Sequence, residues 1–327
     1  ANGTARIATL PVDGSGNAIA FITGNVSIER HIPARKAWRL LSAPIKSIGS
    51  ASINSAWQEG VNGASFGDNP NPGYGVHITG GTLANGFDQS PTNSASIKVM
   101  NNAGTTFAAL PPSPGTNAAI STYPGYMVYI RGDRSIDLSQ GVNAAVTATT
   151  LRVRGQVNTG NQQVSVNAAG FSVLGNPFPS AIDFQTLTRN NVKNSFYIWD
   201  PKLSGSNGLG GYVTASWNNT TSQYDFTSSA SPVSQYIPSG EAVLVESADG
   251  INPGNLVIHE SDKTTNGSDG LFGRNAIQQQ KLNIHLLGDD TDGTPVLLDA
   301  ALVTYQDQGK NTVDHEDAKK MNGDNEN

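Results

Sequence analysis

The sequence contains no cysteine. That absence removes disulfide scaffolds, thiolate zinc sites and cysteine nucleophiles. Charge is scarce as well: Asp, Glu, Lys and Arg make up 14% of the 327 residues, against about 25% in an average soluble chain. Twenty residues are basic and 26 acidic, a formal net charge of −6. With no cationic surplus to release counterions from DNA or RNA, nucleic acid is not an expected partner. Glu, Lys and Arg are too few for a coiled coil, and glycine follows no three-residue period, which excludes collagen. No run of about 18 apolar residues occurs, so membrane insertion through a helix is not expected. The opening ANGTARIATL lacks both the charged and the apolar region of a leader, and the end NGDNEN has no structural terminator. Both ends therefore read as cut or processed.

What is present is turn chemistry and short alternation. Gly numbers 36 and Pro 17, among many Asn, Ser and Thr. Between these punctuation residues lie ARIATL, NVSIER, WRLLSAP, YMVYIR, TLRVRGQV, QQVSVNA, FSVLGNP, EAVLVES, NLVIHE and KLNIHLL. Alternation over four to eight residues bounded by Gly, Asn and Pro is the strand signature. Turn clusters such as SFGDNPNPGYG, PPSPGTN and LGDDTDGTP lie between these runs. The one segment with helical logic is VDHEDAKKM, where Asp314 can cap and Lys319 and Lys320 suit the far end of the dipole. The expected fold is all-β, an antiparallel β-sandwich of jelly-roll or Ig-like type with long Gly, Pro and Asn-rich loops.

Five features recur in one order. WRLLSAP (38–44) matches FSVLGNP (171–177), Trp57 matches Trp199, and PGYGVHITG (72–80) matches GGYVTASW (210–217). YPGYMVYIRGD (123–133) matches IPSGEAVLVESAD (237–249), and TLRVRG (150–155) matches NLVIHE (255–260). A repeat of this length indicates duplication of a sandwich-like unit rather than a solenoid. The expected organisation is an N-terminal strand or linker region at 1–23, one half at 24–168, and a second half at 169–327 ending in a short helix. Leu40, Val173, Val128 and Val243 should then be buried on equivalent strands. A Gly at 125 or 240 opens the later strand of each half by admitting the turn conformation.

The run TGNVSIERHIPARKAWRLLSAPI, with INSAWQEG, NPGYGVHITGG, NGFDQS, YIRGDRSIDL, TTLRVRGQV, FSVLGNPFPSAIDF, FYIWDPKL and GGYV, resembles a recurrent β-rich segment of large Bacteroidetes surface and secreted proteins. The resemblance extends from about residue 20 to the end. It implies an exported protein, carried by the type IX secretion system and located outside the cell or on its surface. It carries no assigned catalytic residues.

Candidate chemistry is sparse. Glycoside hydrolysis needs two carboxylates about 5 to 9.5 Å apart. Asp88, Asp133, Asp137, Asp183, Glu241 and Glu246 qualify only as carboxylates in or near strands. No GxSxG elbow or HExxH helix occurs, and His31, His77, His259, His285 and His315 are scattered. GSNGLGG (205–211) precedes a strand-like GYVTASW rather than a helix, so it reads as a loop and not a phosphate cradle. Arg131, Gly132 and Asp133 spell RGD, but at a strand-to-turn junction. No cofactor is required. Calcium is the ion the residues suit, because Asp289, Asp290 and Asp292 sit on a Gly-bounded turn. A plain hairpin turn between KLNIHLL and PVLLDAALVTY accounts for the same residues, and both readings stay open. The acidic end, with Asp314, Glu316, Asp317 and Asp324, has the same two readings.

Trp38, Trp57, Trp199, Trp217, Tyr74 and Tyr212 suit either a sugar platform or a core. The matched slots of Trp57 with Trp199 and Tyr74 with Tyr212 favour packing, and exposed stacking stays open for Trp217 as the candidate glycan contact. The expectation is a non-enzymatic extracellular module, structural or adhesive, within a larger surface protein or fibre. Its partners would be copies of itself, other surface proteins or glycans. The alternative is a carbohydrate-binding or polysaccharide-degrading secreted protein.

Overall fold

Short alternating runs leave each strand with one face to bury, and the chain buries them by antiparallel pairing. The computed structural model describes residues 5–46, 51–63, 72–120, 125–203, 210–229, 231–267, 280–289 and 295–305. Strands β1 (Val26–Ile32), β2 (Ala37–Leu41), β3 (Ile97–Met100), β4 (Phe107–Ala109), β5 (Tyr126–Ile130) and β6 (Thr149–Gly155) form the first part, with one short helix, α1 (Ile53–Trp57). β1 pairs with β6 along its whole length, from Val26↔Gly155 to Ile32↔Thr149, and the second sheet runs β2-β5-β3-β4.

The second part repeats this scheme with additions. Its strands are β7 (Gln162–Val166), β8 (Ser172–Gly175), β9 (Ala181–Asp183), β10 (Thr188–Asn190), β11 (Ser195–Asp200), β12 (Gly211–Asn218), β13 (Gln223–Phe226), β14 (Tyr236–Ile237), β15 (Ala242–Val245), β16 (Gly254–Ile258) and β17 (Lys263–Thr264). β7 pairs with β16 as β1 does with β6, and the sheet β8-β15-β11-β12-β13 follows the order of β2-β5-β3-β4. β9, flanked by β14 and β17, has no counterpart among the described residues of the first part. The fold is all-β, with antiparallel sheets packed as in a β-sandwich.

The nested pairing makes WRLLSAP and YMVYIR neighbours in one sheet, and FSVLGNP and AVLVES neighbours in the other. Leu40 and Val173 lie in one apolar cluster, Val128 and Val243 in another, and all four are buried. The aromatic matches fail. Trp57 ends helix α1 inside the core, whereas Trp199 lies on strand β11 and is half-buried. Tyr74 sits in an irregular segment with a single bridge to Thr150, whereas Tyr212 lies on β12. Local sequence likeness around an aromatic residue does not fix the element that carries it, because the tertiary partner decides.

The two glycines also differ. Gly240 has φ +76, the conformation expected of a turn glycine. Gly125 is not in that region; a Cβ there would lie 2.6 Å from Val173 Cγ1 and 2.9 Å from Ala242 Cβ. Its requirement is close approach between the two parts.

The two expected halves do not form separate bodies. One core draws on both, and Leu41 bridges to Glu241 while the Ser42 amide donates to Gly240 O at 3.0 Å. Ala1–Gly273 is one compact unit, so the division falls at 273/274 rather than at 168/169. The segment expected as a linker is also pinned. The Ile7 amide donates to Pro179 O, and the Leu10 amide donates to Glu260 Oε2, which is itself paired with Lys263 at 2.6 Å. The second unit, Arg274–Asn327, contains the hairpin β18 (Gln280–Asp289) and β19 (Pro295–Tyr305), with a register shift between Leu286 and Leu287. The helix expected at VDHEDAKKM lies outside the described residues.

Candidate binding face

Side chains alternate across a strand, so Trp38 and Leu40 on β2 share one face while Arg39 takes the other. On that face Leu40, Met127, Val173, Ala242 and Leu244 form a buried floor contributed by both parts of the fold. Half-buried Trp38, Phe171, Tyr197 and Trp199 stand over it. Trp38 is directly opposite Tyr129 in the ladder, with ring centroids 5.3 Å apart. Trp199 is directly opposite Tyr212, at 4.8 Å and nearly perpendicular. Cross-strand aromatic pairs of this kind add to the stability of a sheet beyond their area.

The two pairs are joined. Trp199 Nε1 donates to the Trp38 carbonyl at 2.7 Å. Gly210, at φ +116, lies flat against the indole, where a Cβ would come within 2.5 Å of Trp199 Nε1. Tyr197 hydroxyl donates to Glu246 Oε2 at 2.8 Å, and burial together with this bond pushes its pKa up to about 12. Two cations complete the face: Lys98 Nζ lies 4.8 Å from the centre of the Trp38 ring, and the Arg131 guanidinium 4.6 Å from that of Tyr129.

The RGD tripeptide is thereby taken apart. Arg131 rests on Tyr129, while buried Asp133 accepts from the amides of Gly73 and Ser135 and from the Ser135 hydroxyl. The other nominated carboxylates are likewise engaged. Asp88 accepts two bonds from Arg134, at 2.7 and 2.8 Å, one from Gln58 and one from the Ile78 amide. Burial works against its charge, but bonds from His77 and Arg134 outweigh it and hold its pKa at about 2. Asp137 and Asp183 cap short 3-10 turns, and Glu246 pairs with Lys193 at 3.1 Å.

Glu241 is different. It is buried at the junction of the two parts, its Oε2 has no hydrogen-bond partner among the described residues, and desolvation pushes its pKa up to about 8. Arg30 and Arg39 are the cations whose fields oppose that rise. Arg39, buried too, leaves Nε and Nη1 without partners among the described residues.

The histidines stay apart. His77 Nε2 meets Arg134 O, His259 Nε2 meets Thr188 Oγ1, His31 is on β1, His285 is on β18, and His315 lies outside the described residues. Among the described residues no three His, Asp or Glu side chains gather to hold a metal. Asp289 ends β18, and Asp290 and Asp292 lie outside the described residues, as do Asp314, Glu316, Asp317 and Asp324. Of GSNGLGG, residues 205–209 also lie outside them, and GYVTASW is strand β12. Trp217 is half-buried against the core with its ring 5.2 Å from that of Tyr224. It stands apart from the face of Trp38 and Trp199, two residues that the sequence offered as possible platform aromatics but favoured as core. The available signal was the alternation of Trp38 with Leu40 and of Tyr197 with Trp199, which puts one aromatic residue of β2 and two of β11 on a single side of each strand.

Residues 92–327 match the profile of a family described as a domain of unknown function, DUF8693. The match spans well over half of the chain, which therefore belongs to that family. No curated protein and no solved structure matches.

Proposed function

We propose that this DUF8693 chain is a non-enzymatic extracellular module, part of a larger bacterial surface protein or fibre, that adheres through its aromatic face. One observation supports the reading above others: an apolar, aromatic sheet surface continues across both parts of the fold and carries cations on its rings. Contiguous apolar surface of this kind marks interaction sites. The nominated catalytic acids are, apart from Glu241, committed to caps, ion pairs or, for Asp133, hydrogen bonds from Gly73 and Ser135, and Glu241 is shut inside the junction. Export by the type IX route of Bacteroidetes is part of the same proposal, supported by the resemblance of the strand and turn segments. The reading needs no cofactor. Calcium at Asp289, Asp290 and Asp292 is a separate proposal, tested by whether calcium raises the thermal midpoint of chelator-treated protein. A glycan partner is the second reading, favoured by Tyr212, whose side chain is 42% exposed beside Trp199.

The test places the purified full chain on beads and measures retention on surfaces coated with the chain itself or with polysaccharides, while assaying released reducing sugar. Retention on at least one surface, reduced by Trp38→Ala and by Tyr212→Ala without sugar release, is expected. Release of reducing sugar, or retention indifferent to both substitutions, overturns the proposal.

A further inference from the structure

The cations on the aromatic face have an unusual setting. The chain carries a net charge of −6, so its acids outnumber its bases. Yet among the described residues the side chains of Lys98 and Arg131 have no ion pair and no hydrogen bond; each has a ring instead. Two acids of the second part of the fold are engaged elsewhere. Glu246 holds Lys193 and Tyr197, and Asp200 accepts from the Lys202 amide and the Ser231 hydroxyl.

A ring holds a cation in position without neutralising it. Lys98 with Trp38, Trp38 with Tyr129, and Tyr129 with Arg131 are thus in successive contact, at 4.8, 5.3 and 4.6 Å, which holds two positive charges on one aromatic face. Arg131 is partly desolvated, which lowers its pKa, and its Nη1 is buried without a partner. The residue as a whole is half-buried, so an anion at the accessible edge of the guanidinium, not at Nη1, would offset that desolvation, and the planar fork matches a carboxylate. The Trp199 indole, bonded to the Trp38 carbonyl, extends the same surface to exposed Tyr212.

Resting on the reading that this face is adhesive, we propose that its partner is an acidic polysaccharide of uronic-acid units. Lys98 and Arg131 bind carboxylates of the polymer, and Tyr212 with Trp199 packs against the apolar face of a sugar ring. Two fixed charges beside a set of aromatic rings suit a ligand with repeating acids and apolar flanks, and an apolar ring flank with a carboxylate edge describes a uronate. A small free anion would use the charges and leave the rings idle.

The test measures binding of the full chain to polygalacturonate and to the same polymer with its carboxyls methyl-esterified. The expected result is binding at low ionic strength that weakens as salt screens it, at least about tenfold weaker on the ester. Lys98→Ala with Arg131→Ala reduces affinity for the acid polymer to that for the ester, and Tyr212→Ala weakens both. Thermal midpoint and circular dichroism confirm that the variants are folded, and the comparison of the two polymers needs no variant. Equal affinity for acid and ester, or a double variant that binds like the wild type, overturns the inference. Self-adhesion without polygalacturonate binding overturns it too, while leaving the adhesive reading standing. Loss of adhesion to every surface removes that reading itself.

Discussion

Trp199 donates its indole N–H to the backbone carbonyl of Trp38 across a sequence separation of 161 residues, at 2.7 Å. Trp38 belongs to the first part of the fold and Trp199 to the second, so this bond ties the aromatic surface together. Trp199→Phe keeps an aromatic ring and removes the donor. The expected cost is about 1 kcal/mol, read as a lower denaturant midpoint with unchanged slope.

Gly125 and Gly240 test two different reasons for glycine. At Gly125 the space is occupied, by Val173, Ala242 and the Leu41 carbonyl. Gly125→Ala should cost about 1 to 3 kcal/mol through overpacking, and Val173→Ala in the same chain should recover part of it. At Gly240 the nearest atoms are 3.7 Å from a Cβ, but φ is +76. Gly240→Ala should cost about 1 to 2 kcal/mol through backbone strain, with no rescue by Val173→Ala.

Asp88 is held near 2, below its ordinary value of 3.8. Its folded value is depressed, so the stability it contributes is present above about 4 and is lost as pH falls through 2. Asp88→Asn should remove this acid limb from a plot of stability against pH. It also leaves the fully buried Arg134 guanidinium without its carboxylate, at a cost of about 3 to 5 kcal/mol at neutral pH.

Glu241 shows the opposite sign. Its pKa is raised from 4.5 to about 8 by burial. The folded state then holds the proton more tightly, so the stabilising effect is complete below 4.5 and is lost as pH rises through 8. Glu241→Gln should flatten the decline in thermal midpoint between these values. A decline of the same slope in the variant would assign it to other groups.

The strands were legible because each buries one face, and burial imposes a two-residue period on the sequence. Leu40, Val173, Val128 and Val243 follow from that period alone. Helix α1 was not, since five residues held by a single cap, the Ser55 amide donating to Ser52 Oγ, leave too little pattern. Nor was the Asp88 pair with Arg134, whose partners are 46 residues apart and meet only through tertiary folding. The aromatic face hid for a related reason. Trp38 and Trp199 each look like core residues within their own strand, and only the alignment of two sheets makes them one surface.

The nested pairing also governs the order of events in folding. Ile32 on β1 must wait for Thr149 on β6 before its ladder can form, and β7 must likewise wait for β16. Such non-local closure makes a slow folder. A chain leaving the ribosome therefore exposes β1 without its ladder partner until residue 155 has emerged.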